Sequence, residues 1–205
     1  VPYSQSIPLK AWRTTRRADI NTLAAAHTAI GEVDGPGRPR SIGRPVGHAY
    51  VLRVVAEFQG FVRDLHDLAA QRLVEFAEPK TPFIPLLSEA ATRGRTIDRG
   101  NATLRGMAQD FGRLGIVGLV GRIKAIDSQW SSPGGSDGAE YENLIDLRNA
   151  LGHGNQGQVD RLRANGVMDT VSWTRQRLPA LNRTARALDR VVWDHLASIS
   201  GQEPW

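Results

Sequence analysis

Apolar residues recur along this chain at spacings of three and four, the period of one face of an α-helix, and no segment shows a convincing strand alternation. The clearest run is Val51, Val55, Phe58, Val62, Leu65, Ala69, Leu73 and Phe76. It predicts a helix over 48–76, ended by Pro79, Pro82 and Pro85. A second long helix is expected over 168–199, where Leu181, Ala185, Leu188, Val192 and Leu196 keep the spacing across one interruption at Pro179. Shorter helices are read over 86–92, 101–114, 116–130 and 159–164. Residues 139–151 place Tyr141, Leu144, Ile145 and Leu151 on one stripe, after a Gly/Ser-rich loop at 131–138 that offers N-cap residues. Gly152, Gly154 and Gly157 break the chain after it.

Ahead of these lies an Ala-rich helical arm over 10–30 with a basic patch, Lys10, Arg13, Arg16 and Arg17. A linker over 31–47 follows, carrying Gly35-Pro36-Gly37, Pro39 and Pro45 together with Arg38, Arg40 and Arg44. No fixed-period repeat is present. The expected architecture is all-α: a bundle of about five or six helices, two of them long, over 47–205, with the helical arm and linker over 1–46 in front of it.

A chain of 205 residues is long enough for one well-buried core, and 40% apolar with 23% charged residues is an ordinary globular balance. No stretch approaches the roughly 20 apolar residues that span a bilayer, and the first thirty residues carry no secretory pattern. A soluble cytoplasmic protein is expected. Cysteine is absent, which excludes disulfides, thiolate metal sites and cysteine nucleophiles together. The net charge of +5 is carried almost wholly by arginine, since only Lys10, Lys80 and Lys124 are lysines. Arginine grips phosphate with a planar fork, so a polyanionic partner fits, although a GC-rich genome gives the same excess with no functional cause. The C-terminal segment adds to the basic surface through Arg161, Arg163, Arg175, Arg177, Arg183, Arg186 and Arg190.

One residue breaks the pattern. Arg148 falls within the apolar stripe of 139–151, and a guanidinium does not enter an apolar face unaccompanied. It must meet a carboxylate, a subunit interface or a cleft that receives an anion. His153 follows five residues later. A helix that ends at Gly152 lets the imidazole swing back toward the guanidinium.

The string Leu147-Arg148-Asn149-Ala150-Leu151-Gly152-His153-Gly154 resembles the R-x4-6-H signature of the HEPN superfamily, which commonly begins Arg-Asn and ends His-Gly. The long helix from His48 through Glu57 to Asp67 is similar to the first core helix of that superfamily, in the branch called RiboL-PSP-HEPN. The likeness spans 47–199. It implies an RNA-cleaving centre that uses neither metal nor cofactor. His153 would move the proton of the ribose 2′-hydroxyl or of the leaving oxygen, Arg148 would stabilise the phosphate, and Asn149 would orient the substrate. It also implies a homodimer with a composite site, tRNA or mRNA as substrate, and a toxin or phage-defence setting with an antitoxin or defence-system partner protein; no membrane is involved.

Each residue also has a plainer reading. His153 can cap the last carbonyls of its helix, and Asn149 can be a surface residue. Glu57 borders the stripe of the long helix, either as an orienting partner of Arg148 or His153 or as a solvated flank. His48, Asp64, His66 and Asp67 do not make a metal set, because adjacent helical residues point apart. Trp173 and Trp193 suit the core better than a base-stacking platform. The alternatives to an enzyme are a non-catalytic HEPN module that binds RNA, a nucleotide or a protein, and a helical scaffold in which Arg148 makes a structural ion pair.

Overall fold

The computed structural model describes residues 2–33, 40–131 and 136–205, and among them every regular element is helical. Helix α1 (Ile7–Arg13) starts where the Ser6 hydroxyl accepts the Leu9 N–H at 3.1 Å, with Pro8 in its first turn. A break at Thr14 (φ −115°, ψ −85°) separates it from α2 (Thr15–Val33), dividing the single helix expected there. This segment is part of the core. Leu9, Trp12 and Ile20 are fully buried, and Trp12 packs edge-on against Phe58 with ring centroids 5.3 Å apart.

Helix α3 (Arg40–Ala77) begins eight residues before the helix expected from periodicity, so the described end of the linker is helical and Pro45 lies inside it. Gly35-Pro36-Gly37, Arg38 and Pro39 lie outside the described residues. A 3₁₀ turn, Thr81–Phe83, leads into α4 (Ile84–Thr92), which buries none of its side chains. The expected helix over 101–114 is shorter. After α5 (Thr96–Arg99), the Thr103 hydroxyl accepts the Gly106 N–H at 3.0 Å and starts α6 (Leu104–Gly112). Gly118, at φ +68°, trims the front of the next helix, so α7 covers Leu119–Ile126. Helices α8 (Asp137–Gly152), α9 (Gln156–Ala164) and α10 (Val171–Ser200) complete the chain. Thr170 caps α10, which continues through Pro179 and stops at Gly201 in the left-handed region.

The two long helices, α3 and α10, run side by side in the same direction. Their starts meet through His48 and Asp169, and their ends share a cleft lined by Glu75, Phe76, Gln202 and Pro204. Helix α8 lies against both and runs the opposite way. Tyr141 near its start packs on Phe58 at 5.2 Å, while Asp137 and Glu140 pair with Arg183 and Arg177 of α10. The end of α8 therefore reaches the end of the bundle at which α3 and α10 begin. No helix among the described residues is long and apolar enough to cross a membrane.

Candidate active site

Helix α8 continues through Gly152, and His153 is its C-cap with φ −98° and ψ 4°. The turn is made by Gly154 at φ +63°, not by Gly152 as the sequence suggested. Asn155 N–H donates to the Ala150 carbonyl at 2.9 Å and Gly154 N–H to the Leu151 carbonyl at 3.2 Å, the paired bonds of a Schellman ending. Asn155 then accepts the Gln158 N–H on its side chain at 3.0 Å and starts α9. His153 thus stands exposed at a corner fixed from both sides by helix caps.

Arg148 sits at the margin of the buried stripe rather than within it. Tyr141, Leu144, Ile145, Leu147 and Ala150 are buried, and Arg148 is half-buried beside them. Its guanidinium makes no hydrogen bond or ion pair among the described residues. Nη1 lies 3.7 Å from where a Cβ on Gly152 would stand, so the side chain runs along the last turn toward the residue before His153. The imidazole of His153 likewise has no hydrogen-bond partner among the described residues. Asn149 is held. Its Oδ1 accepts from Nδ2 of Asn101, a buried residue between α5 and α6. The N–H₂ of Asn149 makes no hydrogen bond among the described residues and can donate to a ligand. Asn101 carries no sequence signal, being 48 residues away in a connecting segment.

The structure turns Glu57 toward α2 and away from the end of α8. Its two oxygens accept from Arg16 Nη1 and Arg53 Nη2, each at 2.7 Å. Arg53 also reaches Asp19 at 2.9 Å and Arg16 reaches Asp64 at 2.7 Å, giving an ion-pair ladder between α2 and α3. Glu57 is therefore not brought to Arg148 or His153. Arg16 passes closely over Gly60, where a Cβ would meet the guanidinium at 2.4 Å.

Beside the α8–α9 corner lies a second cluster, centred on Asp169. His48 Nε2 is 2.6 Å from its Oδ2, and Arg163 donates from Nε at 3.0 Å and from Nη2 at 2.5 Å. Arg44 approaches at 3.5 Å and also donates to the Gln156 side chain at 3.2 Å. Burial pushes the Asp169 carboxyl up, but the bonds from Arg163 and His48 more than reverse this and hold it at about 2. Gly47 permits the approach, since a Cβ there would lie 2.3 Å from the Asp169 carbonyl oxygen. The other histidine of α3, His66, is buried between Arg95 and the Asp110 carbonyl. Burial lowers its pKa, so it accepts from Arg95 on Nδ1 and donates from Nε2 as a neutral ring. Among the described residues no group of three His, Asp or Glu side chains is placed to hold a metal ion.

The basic C-terminal segment is partly neutralised within the chain. Arg163, Arg177, Arg183 and Arg190 pair with Asp169, Glu140, Asp137 and Asp194, whereas Arg161, Arg175 and Arg186 have no acidic partner among the described residues. Trp173 and Trp193 are buried, the former under the Arg177 guanidinium at 3.9 Å. No family model matches the chain, and neither a curated protein nor a solved structure matches it.

Proposed function

We propose that this chain is a cytoplasmic endoribonuclease that cuts RNA by transesterification without a metal, using Arg148 and His153. The observation that carries the reading is Arg148 itself. It is a half-buried cation with no hydrogen bond or ion pair among the described residues, laid along the turn that leads to His153. Such a charge is costly unless an anion joins it, and the phosphodiester of RNA supplies one. The resemblance of Arg148-Asn149 through His153-Gly154 to the HEPN signature points the same way.

In this reading the ribose 2′-oxygen attacks phosphorus and the bond to the 5′-oxygen breaks. A histidine removes the 2′ proton, and a second proton-transfer group gives one to the departing oxygen. Arg148 lies against the phosphate as negative charge builds on it. Asn149, fixed by Asn101, donates to the substrate. The products are a 2′,3′-cyclic phosphate and a 5′-hydroxyl end. One chain offers a single exposed histidine in the motif, so the reading includes a homodimer in which two copies share the centre. tRNA or mRNA is the substrate class, and the setting is a toxin or phage-defence effector held by a partner protein.

His153→Ala tests it on total RNA. Cleavage falls by about 10²–10⁴-fold while RNA binding persists, because affinity comes from the wider arginine surface. Activity that disappears with EDTA and returns with magnesium would contradict the mechanism. A second reading, a non-catalytic RNA-, nucleotide- or protein-binding module, is favoured by one observation: the His153 ring has no hydrogen-bond partner among the described residues. It predicts RNA binding with no new 5′-hydroxyl ends.

A further inference from the structure

Single apolar side chains left in solvent are ordinary on a folded surface, but a contiguous group of them marks a binding face. Of the nine large apolar side chains exposed among the described residues, four fall within five consecutive positions: Phe83, Ile84, Leu86 and Leu87, each between 39% and 62% exposed. Helix α4, which carries the last three, buries none of its side chains. A helix of nine residues is marginal in water unless an apolar face of it is packed. Ile84, Ser88 and Thr92, one turn apart on α4, line an open cleft of about 480 Å³ whose wall on α3 includes Ala70 and Val74. Helix α4 thus borders α3 across an open cleft and leaves its remaining apolar side chains in solvent.

The charge around the cleft selects what covers it. Three acids, Asp67, Glu75 and Glu78, line it and no cation does. Asp67 pairs with Arg95 and Glu75 with Arg72, whereas Glu78 is exposed and makes no ion pair among the described residues. An adjoining cleft shares Glu75, Glu78 and Arg72 and adds Glu203, which is also exposed and without an ion pair. Lys80 lines neither cleft. This acidic margin belongs to a chain whose net charge is +5. An anionic membrane surface is repelled by it. A second copy docked about a two-fold axis would set the same acids against one another. We propose that the α3–α4 cleft and the exposed apolar side of α4 bind a partner protein through an amphipathic helix. The partner's apolar side chains fill the cleft and cover Leu86 and Leu87, and its Lys or Arg side chains meet Glu75 and Glu78. The surface lies at the far end of α3 from Arg148 and His153 and stands whether or not the chain cleaves RNA.

The test uses the whole chain and three probes: a labelled helical peptide with leucines on one face and lysines on the other, its counterpart with glutamates in place of the lysines, and phosphatidylserine-containing vesicles. Fluorescence anisotropy shows the Leu/Lys peptide binding at least tenfold more tightly than the Leu/Glu one. Ile84→Ser and Leu87→Ser, at positions already exposed, each weaken the Leu/Lys peptide about tenfold, the loss of one covered aliphatic side chain. Glu78→Gln, which leaves the apolar surface intact, weakens it several-fold, and that difference fades at high salt. Equal binding of the two peptides overturns the proposal, as does Leu/Lys binding that all three variants leave unchanged. Vesicle binding that depends on Ile84 and Leu87, with no binding of the Leu/Lys peptide, overturns it in favour of a membrane surface. An assembly in sedimentation that Ile84→Ser dissolves overturns it in favour of a second copy.

Discussion

Replacing Asp169 by Asn should loosen the end of the bundle that carries the α8–α9 corner, and the size of the effect can be worked out. The carboxyl stands at about 2 in the folded chain against 3.8 when free. A difference of nearly two pH units corresponds to roughly 2–3 kcal/mol of stability contributed by the ionised group. The side chain is 7% exposed, so solvent screening removes little of this. The sign follows from the direction of the shift. A depressed carboxyl stabilises the fold fully above its unfolded value, near 4, and loses that contribution as pH falls toward 2. For a chain of this length, 1 kcal/mol moves the melting temperature by about 2–4 °C, so Asp169→Asn should lower it by roughly 5–10 °C at pH 7. Calorimetry of both proteins from pH 7 to pH 2 is the assay. The gap should narrow below pH 4, because the parent loses there what the variant already lacks. Equal melting temperatures at pH 7, or a gap that stays constant to pH 2, would refute the assignment of this knot to Asp169.

Glu57→Gln should cost about 1–3 kcal/mol in urea unfolding through the lost ladder to Arg16 and Arg53, while the pH profile of cleavage stays where it was; a cleavage defect at unchanged stability would return Glu57 to the site. Gly154→Ala meets no atom within 4 Å but forces a Cβ into φ +63°, so it should destabilise by roughly 1–2 kcal/mol, and an unchanged unfolding midpoint would show that the turn is not required. Sedimentation at micromolar concentration should report a dimer; a monomer that cleaves RNA would mean that one chain holds the whole centre.

The long elements were legible because their signal is local. Val51 through Leu65 and Leu181 through Leu196 repeat at helical spacing, and these residues make up much of the buried core. The boundaries were less legible where a cap outweighs periodicity. Thr103 and Gly118 shorten two helices that the apolar pattern extends, while Arg40–Gly47 is helical although Gly43, Pro45 and Gly47 argue against it. The N-terminal segment read as an arm because a Gly/Pro-rich stretch over 31–47 separates it from the helices that follow. Yet Leu9, Trp12 and Ile20 each find the core, and only the packing of α1 and α2 on α3 shows it.

The candidate site divides in the same way. Arg148, Asn149 and His153 lie within six residues, so the sequence could place them on one turn, and the structure does so with a Schellman ending one glycine later than expected. Partners from elsewhere in the chain could not be read. Arg16 lies 41 residues from Glu57, and Asn101 lies 48 from Asn149. Which cation meets which acid follows from how α2, α3 and α8 cross, not from the letters near either residue. Among the described residues, Glu57, Asp64, Asp137 and Asp169 pair with Arg16, Arg53, Arg163 and Arg183, while Arg148, Arg161, Arg175 and Arg186 have no ion pair. Of these four, only Arg148 is half-buried, on the turn that leads to the exposed His153, which is why the proposed phosphate contact is placed there.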